Sequence, residues 1–70
     1  MERQPVTSTD IRSIGYDGES LTLEIEFHSG GIYQYFDVPE TVHRDLISAS
    51  SHGGYFHRHI RDQYGWRKVR

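Results

Sequence analysis

Residues 21–36, LTLEIEFHSGGIYQYF, alternate apolar and polar side chains, turn through a Ser-Gly-Gly triplet and alternate again, and few folds accept that pattern. Leu21, Leu23, Ile25 and Phe27 share one side of an extended backbone, while Thr22, Glu24, Glu26 and His28 share the other. That is the period of a half-buried strand. A strand with one apolar face needs a layer on top of it, so the rest of the chain must supply a cover.

The turn decides which residues of the return strand face inward. A three-residue turn at Ser29-Gly30-Gly31, with a glycine at positive φ, sets Phe27 opposite Tyr33 and Ile25 opposite Tyr35, and both tyrosines point inside. A two-residue turn at Ser29-Gly30 sets Phe27 opposite Ile32 and turns both tyrosines outward, since a slip by one residue exchanges the faces. The pattern favours the first, which keeps Gln34 out of the core and lets each phenol bury its ring with the hydroxyl near the edge. Ile32 and Phe36 are then left on the outer face, beneath a terminal segment or against a second copy of the chain.

The flanks fill in an α+β unit. Residues 1–6 are polar, read as a loose segment, and residues 7–70 as one domain. A first strand falls within 6–16, with Gly15 marking a bulge or a close backbone neighbour, and Asp17-Gly18 turns the chain into Leu21. Pro39 ends the third strand and suits the start of a helix over 39–50, in which Val42, Leu46 and Ala49 recur at helical spacing with Ile47 beside them. Gly53-Gly54 breaks the chain; a shorter helix follows, with Phe56, Ile60 and Gln63 or Tyr64 on one side, ending at Gly65. The tail Trp66-Arg67-Lys68-Val69-Arg70 reads as an edge strand or a docked coil. The expected fold is a small antiparallel sheet of three strands, or four with the tail, covered by two helices.

Seventy residues lie near the lower end of what folds alone, which makes self-association relevant. There is no cysteine, hence no disulfide framework and no thiolate metal site. No apolar run approaches the ~18 residues of a membrane span, and the first ten residues lack the apolar stretch of a signal peptide, so the expected address is the cytoplasm. The net charge of −2 hides an asymmetry: residues 1–51 carry nine acids against Arg3, Arg12 and Arg44, whereas residues 52–70 carry Arg58, Arg61, Arg67, Lys68 and Arg70 against Asp62 alone. One end of the chain therefore suits an anionic partner.

A family resemblance rests on several of these pieces together: Ile14-Gly15-Tyr16-Asp17, the alternation from Leu21 to Phe27, Gly31-x-Tyr33-x-Tyr35, Val38-Pro39, and Ser51-x-Gly53-x-Tyr55-Phe56 followed by Ile60-Arg61. Their joint spacing, spread over residues 7–69, resembles the KTSC domain, a family named after the C-terminus of lysyl-tRNA synthetases and also met as short free-standing bacterial proteins. Its hallmark is a central Tyr-x-Tyr, here Tyr33-Gln34-Tyr35. His57 stands where asparagine is common in that family. The resemblance implies a fold; it implies no established activity, RNA binding being only a suggestion for the family.

Catalytic chemistry finds little support. Of the five histidines, His28, His43, His52, His57 and His59, the pair His57 and His59 are two residues apart and diverge by about 200° on a helix; His52 and His59 lie near one face if the helix starts early, but no carboxylate or third histidine joins them at matching spacing, so no metal site is expected. Ser48, Ser50 and Ser51 lie near His52 and Asp45 without the G-x-S-x-G elbow of a hydrolase, and serines there serve as caps or loop residues. Ser51-His52-Gly53-Gly54 has the look of a phosphate-cradling turn but lacks the full spaced motif. No catalytic residue and no cofactor are expected. The residues that do suit a partner are Tyr55, Arg58, Arg61, Trp66, Arg67 and Lys68, which combine cations for phosphates with rings on which unpaired bases stack. The expectation is a non-catalytic binding module for single-stranded or structured RNA. The alternative is a protein-contact or homodimerising domain with no nucleic-acid role.

Overall fold

A computed structural model describes residues 1–70, and its backbone is a five-stranded antiparallel meander with two helices on one face. The strands are β1 (Arg3–Pro5), β2 (Ile11–Asp17), β3 (Thr22–Phe27), β4 (Ile32–Tyr35) and β5 (Trp66–Lys68), hydrogen-bonded in chain order; α1 (Glu40–Ser48) and α2 (His52–His59) stand between β4 and β5. The α+β class is as expected, but the sheet has five strands where three or four were anticipated. The extra strand lies in the segment read as loose: Arg3, Gln4 and Pro5 pair with Gly15, Ile14 and Ser13. None of the three is a core-forming apolar residue, so no alternation announces them; the strand is held by backbone pairing and by the Arg3 side chain, which bonds Ser13 and Glu24. The tail forms the opposite edge, Trp66 beside Tyr35 and Lys68 beside Tyr33.

Alternation delivers the inner face as expected. Ile14, Leu23 and Ile25 are fully buried beneath Leu46 of α1, Phe56 of α2 and Ile60, with Val38 closing one end. The β3–β4 turn differs in register: its loop is His28-Ser29-Gly30, with Gly30 at φ 106°, so Tyr33 faces Ile25 rather than Phe27, and Tyr35 faces Leu23 rather than Ile25. A slip of two residues leaves every side chain on its own face, which is why both tyrosines still point toward the helices. Leu21 is not a strand residue. It sits in the left-handed region at φ 55° inside the β2–β3 turn, where the Asp17 carboxylate accepts hydrogen bonds from Glu19 N–H and Ser20 O–H.

Ile32, expected on the outer face beneath a terminal segment or against a second copy, is only 4 % exposed, and its backbone pairs with Val69 and Arg70 of the terminal segment. Two helix boundaries also shift. Gly53 and Gly54 lie within the first turn of α2, because the Ser51 hydroxyl caps it by accepting from Gly54 N–H at 3.0 Å. That helix closes at His59 rather than Gly65, where the Phe56 carbonyl takes the N–H of both Ile60 and Arg61.

The outer face carries one polar row across all five strands: Arg3, Gly15, Glu24, Gln34 and Arg67 stand side by side in register. Arg3 reaches past Gly15 to Glu24 at 2.5 Å and to Ser13 at 3.0 Å, Gln34 donates to Glu24 at 2.8 Å, and Arg67 donates to Gln34 at 3.4 Å. Gly15 permits this, since a Cβ there would stand 2.6 Å from the Glu2 carbonyl and 3.0 Å from the Arg3 side chain. Glu24 is 6 % exposed. Burial pushes its carboxyl up, but the hydrogen bonds from Gln34 and Arg3 and the Arg3 charge outweigh that and hold it below the usual range.

Candidate functional site

The helices do not cover the whole inner face. Beyond the end of α2, β4 and β5 leave an open cleft of about 460 Å³, floored by Tyr33, Tyr35 and Phe56 and walled by Arg61 on one side and Trp66 on the other. The floor is locked by edge-to-face packing: Phe27 meets Tyr33 at 5.6 Å between centroids and Phe56 at 5.4 Å, and Tyr35 meets Phe56 at 5.4 Å. Trp66 leans on Tyr33 with centroids 5.6 Å apart yet remains 57 % exposed. Lys68 extends over the other side of the floor, its ammonium 6.0 Å from the Tyr33 ring centroid.

Charge around the cleft is mixed. His57 and Arg61 line it from α2 and the turn that follows, with Asp62 as the lone acid. Tyr35 is 5 % exposed, and burial, with a smaller contribution from Tyr33, pushes its phenol up to about 12 while Arg61 pulls the other way. The Tyr35 hydroxyl is therefore a neutral hydrogen-bonding group at any ordinary pH.

The six residues picked from the sequence do not form one surface. Arg61 and Trp66 line the cleft, and Lys68 joins them through Tyr33. Arg67 is on the opposite face, bonded to Gln34, because β5 is a strand and alternate side chains part. Arg58 projects from α2 into solvent and donates to the Gly54 carbonyl. Tyr55 lies on another side of α2, its ring 4.5 Å from that of His59; burial raises its phenol, with Asp45 and Tyr64 adding to the rise. Sequence reasoning puts Phe27, Phe56 and the rings of Tyr33 and Tyr35 in the interior, with the phenol hydroxyls near the edge, but does not bring them together with His57 as one cleft. Alternation names the face of a strand, but not where the layer above it stops.

The histidines are dispersed. His28 bonds the Ser8 carbonyl through Nε2 at 2.9 Å, and His52 donates from Nδ1 to the Leu46 carbonyl at 2.9 Å. His43 stacks flat on Tyr16, 4.8 Å between centroids, with burial lowering its pKa against the pull of Glu40. No three His, Asp or Glu side chains converge as a metal set would require. No helix is long and apolar enough to cross a membrane.

Comparison with known proteins places this arrangement. The model of the KTSC domain matches residues 7–64. A lysine–tRNA ligase of Nostoc sp. is 42 % identical over 59 residues, which are 84 % of this chain and 10 % of that enzyme. The chain thus spans about a tenth of the length of the ligase it matches. A small protein of Stutzerimonas stutzeri is 41 % identical over 64 residues, 91 % of this chain and 90 % of its own. The crystal structure of a KTSC domain protein from Yersinia pestis superposes with a TM-score of 0.96 at 45 % identity, covering 99 % of this chain and 97 % of that one. Sequences similar to this chain thus occur both as a small protein matched over nearly its whole length and as a short part of a much longer ligase. By its matched residues, its relatives and its superposition, this chain belongs to the KTSC domain family.

Proposed function

We propose that the domain is a non-catalytic RNA-binding module and that the cleft between α2 and β5 takes an unpaired stretch of the strand. The observation that carries this reading is Trp66: a tryptophan 57 % exposed, held against Tyr33, at the mouth of an aromatic cleft whose walls carry Arg61 and whose edge carries Lys68. Exposed rings beside cations supply stacking and phosphate neutralisation together, the two contributions that single-stranded nucleic acid needs. Relatives of the domain lie within lysine–tRNA ligases, whose name gives tRNA as what they act on, and this supports an RNA partner and a cytoplasmic address. Asp62 in the same wall and the net charge of −2 weaken the field, so dissociation constants of about 1–100 μM at physiological salt are expected.

Trp66 is the only tryptophan, so its fluorescence reports directly on this site. Titration with single-stranded RNA hexamers at low salt should quench it, and added salt should reverse the quenching. No change with any sequence would sink the reading. A second reading, a protein contact, is favoured by the same edge, where Trp66 of β5 and Val69 just beyond it are both large and exposed. Pull-down from cell lysate with and without ribonuclease separates the two: capture that survives ribonuclease favours protein.

A further inference from the structure

We infer that the Tyr35 hydroxyl reads the edge of a single RNA base that enters the cleft and lies against Trp66. This rests on the RNA reading and adds to it the group that makes the site selective for a base rather than for backbone alone.

Tyr35 is 95 % buried by residue area, at 5 % exposure, yet its hydroxyl has no hydrogen-bond partner in the protein, whereas the Tyr16 hydroxyl donates to the Val38 carbonyl. No buried side-chain oxygen or nitrogen is left both sealed and unpaired, so the Tyr35 hydroxyl still has an opening, and the cleft it lines provides one. A phenol whose ring packs edge-on against Phe56 in the core, at a residue that lines the cleft, is a preorganised donor and acceptor. The space of about 460 Å³ lies in the lower half of the ~300–1,000 Å³ typical of small-ligand pockets and suits one nucleotide. Trp66 offers the stacking surface, Arg61 a cation for the adjoining phosphate, and Asp62 an acceptor for an amino group on the base. Burial strengthens the preference: with a polar group waiting at the bottom, an occupant that cannot hydrogen-bond leaves it unpaired.

Trp66 fluorescence is titrated with RNA hexamers of A, U, C and G and with a hexamer of abasic ribose phosphate, using the parent and Tyr35→Phe. In the parent, at least one base-bearing hexamer should bind about tenfold tighter than the abasic one, as expected for one stacked, hydrogen-bonded base. In Tyr35→Phe the best hexamer should weaken about three- to tenfold, the worth of one hydrogen bond, with abasic binding and the salt dependence unchanged. A thermal melt of the variant, expected to match the parent closely, excludes loss of fold. If hexamers bind but Tyr35→Phe binds all of them as the parent does, the hydroxyl is not a reading group and this inference falls while the RNA reading stands. If no hexamer binds either protein, the RNA reading itself has failed.

Discussion

Tyr35 is both a core residue and a lining residue of the cleft, so truncating it to Ala and truncating it to Phe test different things. Tyr35→Ala removes a ring packed on Phe56 and should cost ~3–5 kcal/mol, comparable to the whole stability of so small a domain. Tyr33, half-buried on the cleft side, should cost less on the same change. Denaturant melts that found Tyr35→Ala as stable as the parent would contradict its burial. Gly15 makes the complementary case. Gly15→Val puts a branched side chain where a Cβ already meets the Glu2 carbonyl at 2.6 Å, so β1 must move away from β2, and a loss of ~1–3 kcal/mol is expected. Amide exchange should then accelerate at Gln4 and Val6, the residues of this edge that fall at hydrogen-bonded pairs of the ladder, before it does in β3. The inward tyrosines and the special status of Gly15 were legible in the sequence. That Gly15 makes room for an arginine bound for Glu24 was not, since Arg3 belongs to a stretch with no pattern of its own.

At the scale of elements, the polar row on the outer face behaves as a titratable brace. Glu24 has a folded pKa below its unfolded value of about 4.3, so its contribution to stability is present above that pH and is lost as pH falls through the lower folded value. The parent should therefore lose stability steadily from about pH 5 downward, and Glu24→Gln should lose less over the same interval while being weaker at neutral pH. Equilibrium unfolding in urea from pH 3 to 7 measures this; parallel curves for the two proteins would show that the row does not titrate. The strands that make the brace were read unevenly. β3 and β4 announce themselves by alternation, whereas β1 and β5 are only three residues long, too short to show an alternating pattern of their own. The β3–β4 register was mislaid by two residues because three adjacent small residues, Ser29, Gly30 and Gly31, let the turn sit at either of two places.

For the molecule as a whole, the basic end of the chain proves to have two sides. Linear charge suggested one surface, but the strand period sends Lys68 to the cleft and Arg67 to the brace. If RNA lies in the cleft, Arg61→Gln and Lys68→Gln should each flatten the log–log salt dependence of binding by about 0.7, the value for one phosphate contact on a single strand. Arg67→Gln should leave it unchanged. Equal effects from all three would mean that the strand wraps both faces and that the cleft is not the main contact. Which residues carry charge was plain from the sequence; which of them share a face required knowing that the tail is a strand and where it pairs.

Spatial order matching chain order has a kinetic consequence. Every strand pairs with its nearest neighbours along the chain, except that β5 waits for the two helices before it docks on β4. Folding therefore closes mostly short loops, which favours rapid formation for a β-rich domain. During synthesis the first four strands can assemble as they emerge, whereas the wall that holds Trp66 arrives last. A nascent chain stopped before Trp66 would already have a nearly finished sheet and no second wall to its cleft, so the cleft itself would be completed only with the last few residues of the fold.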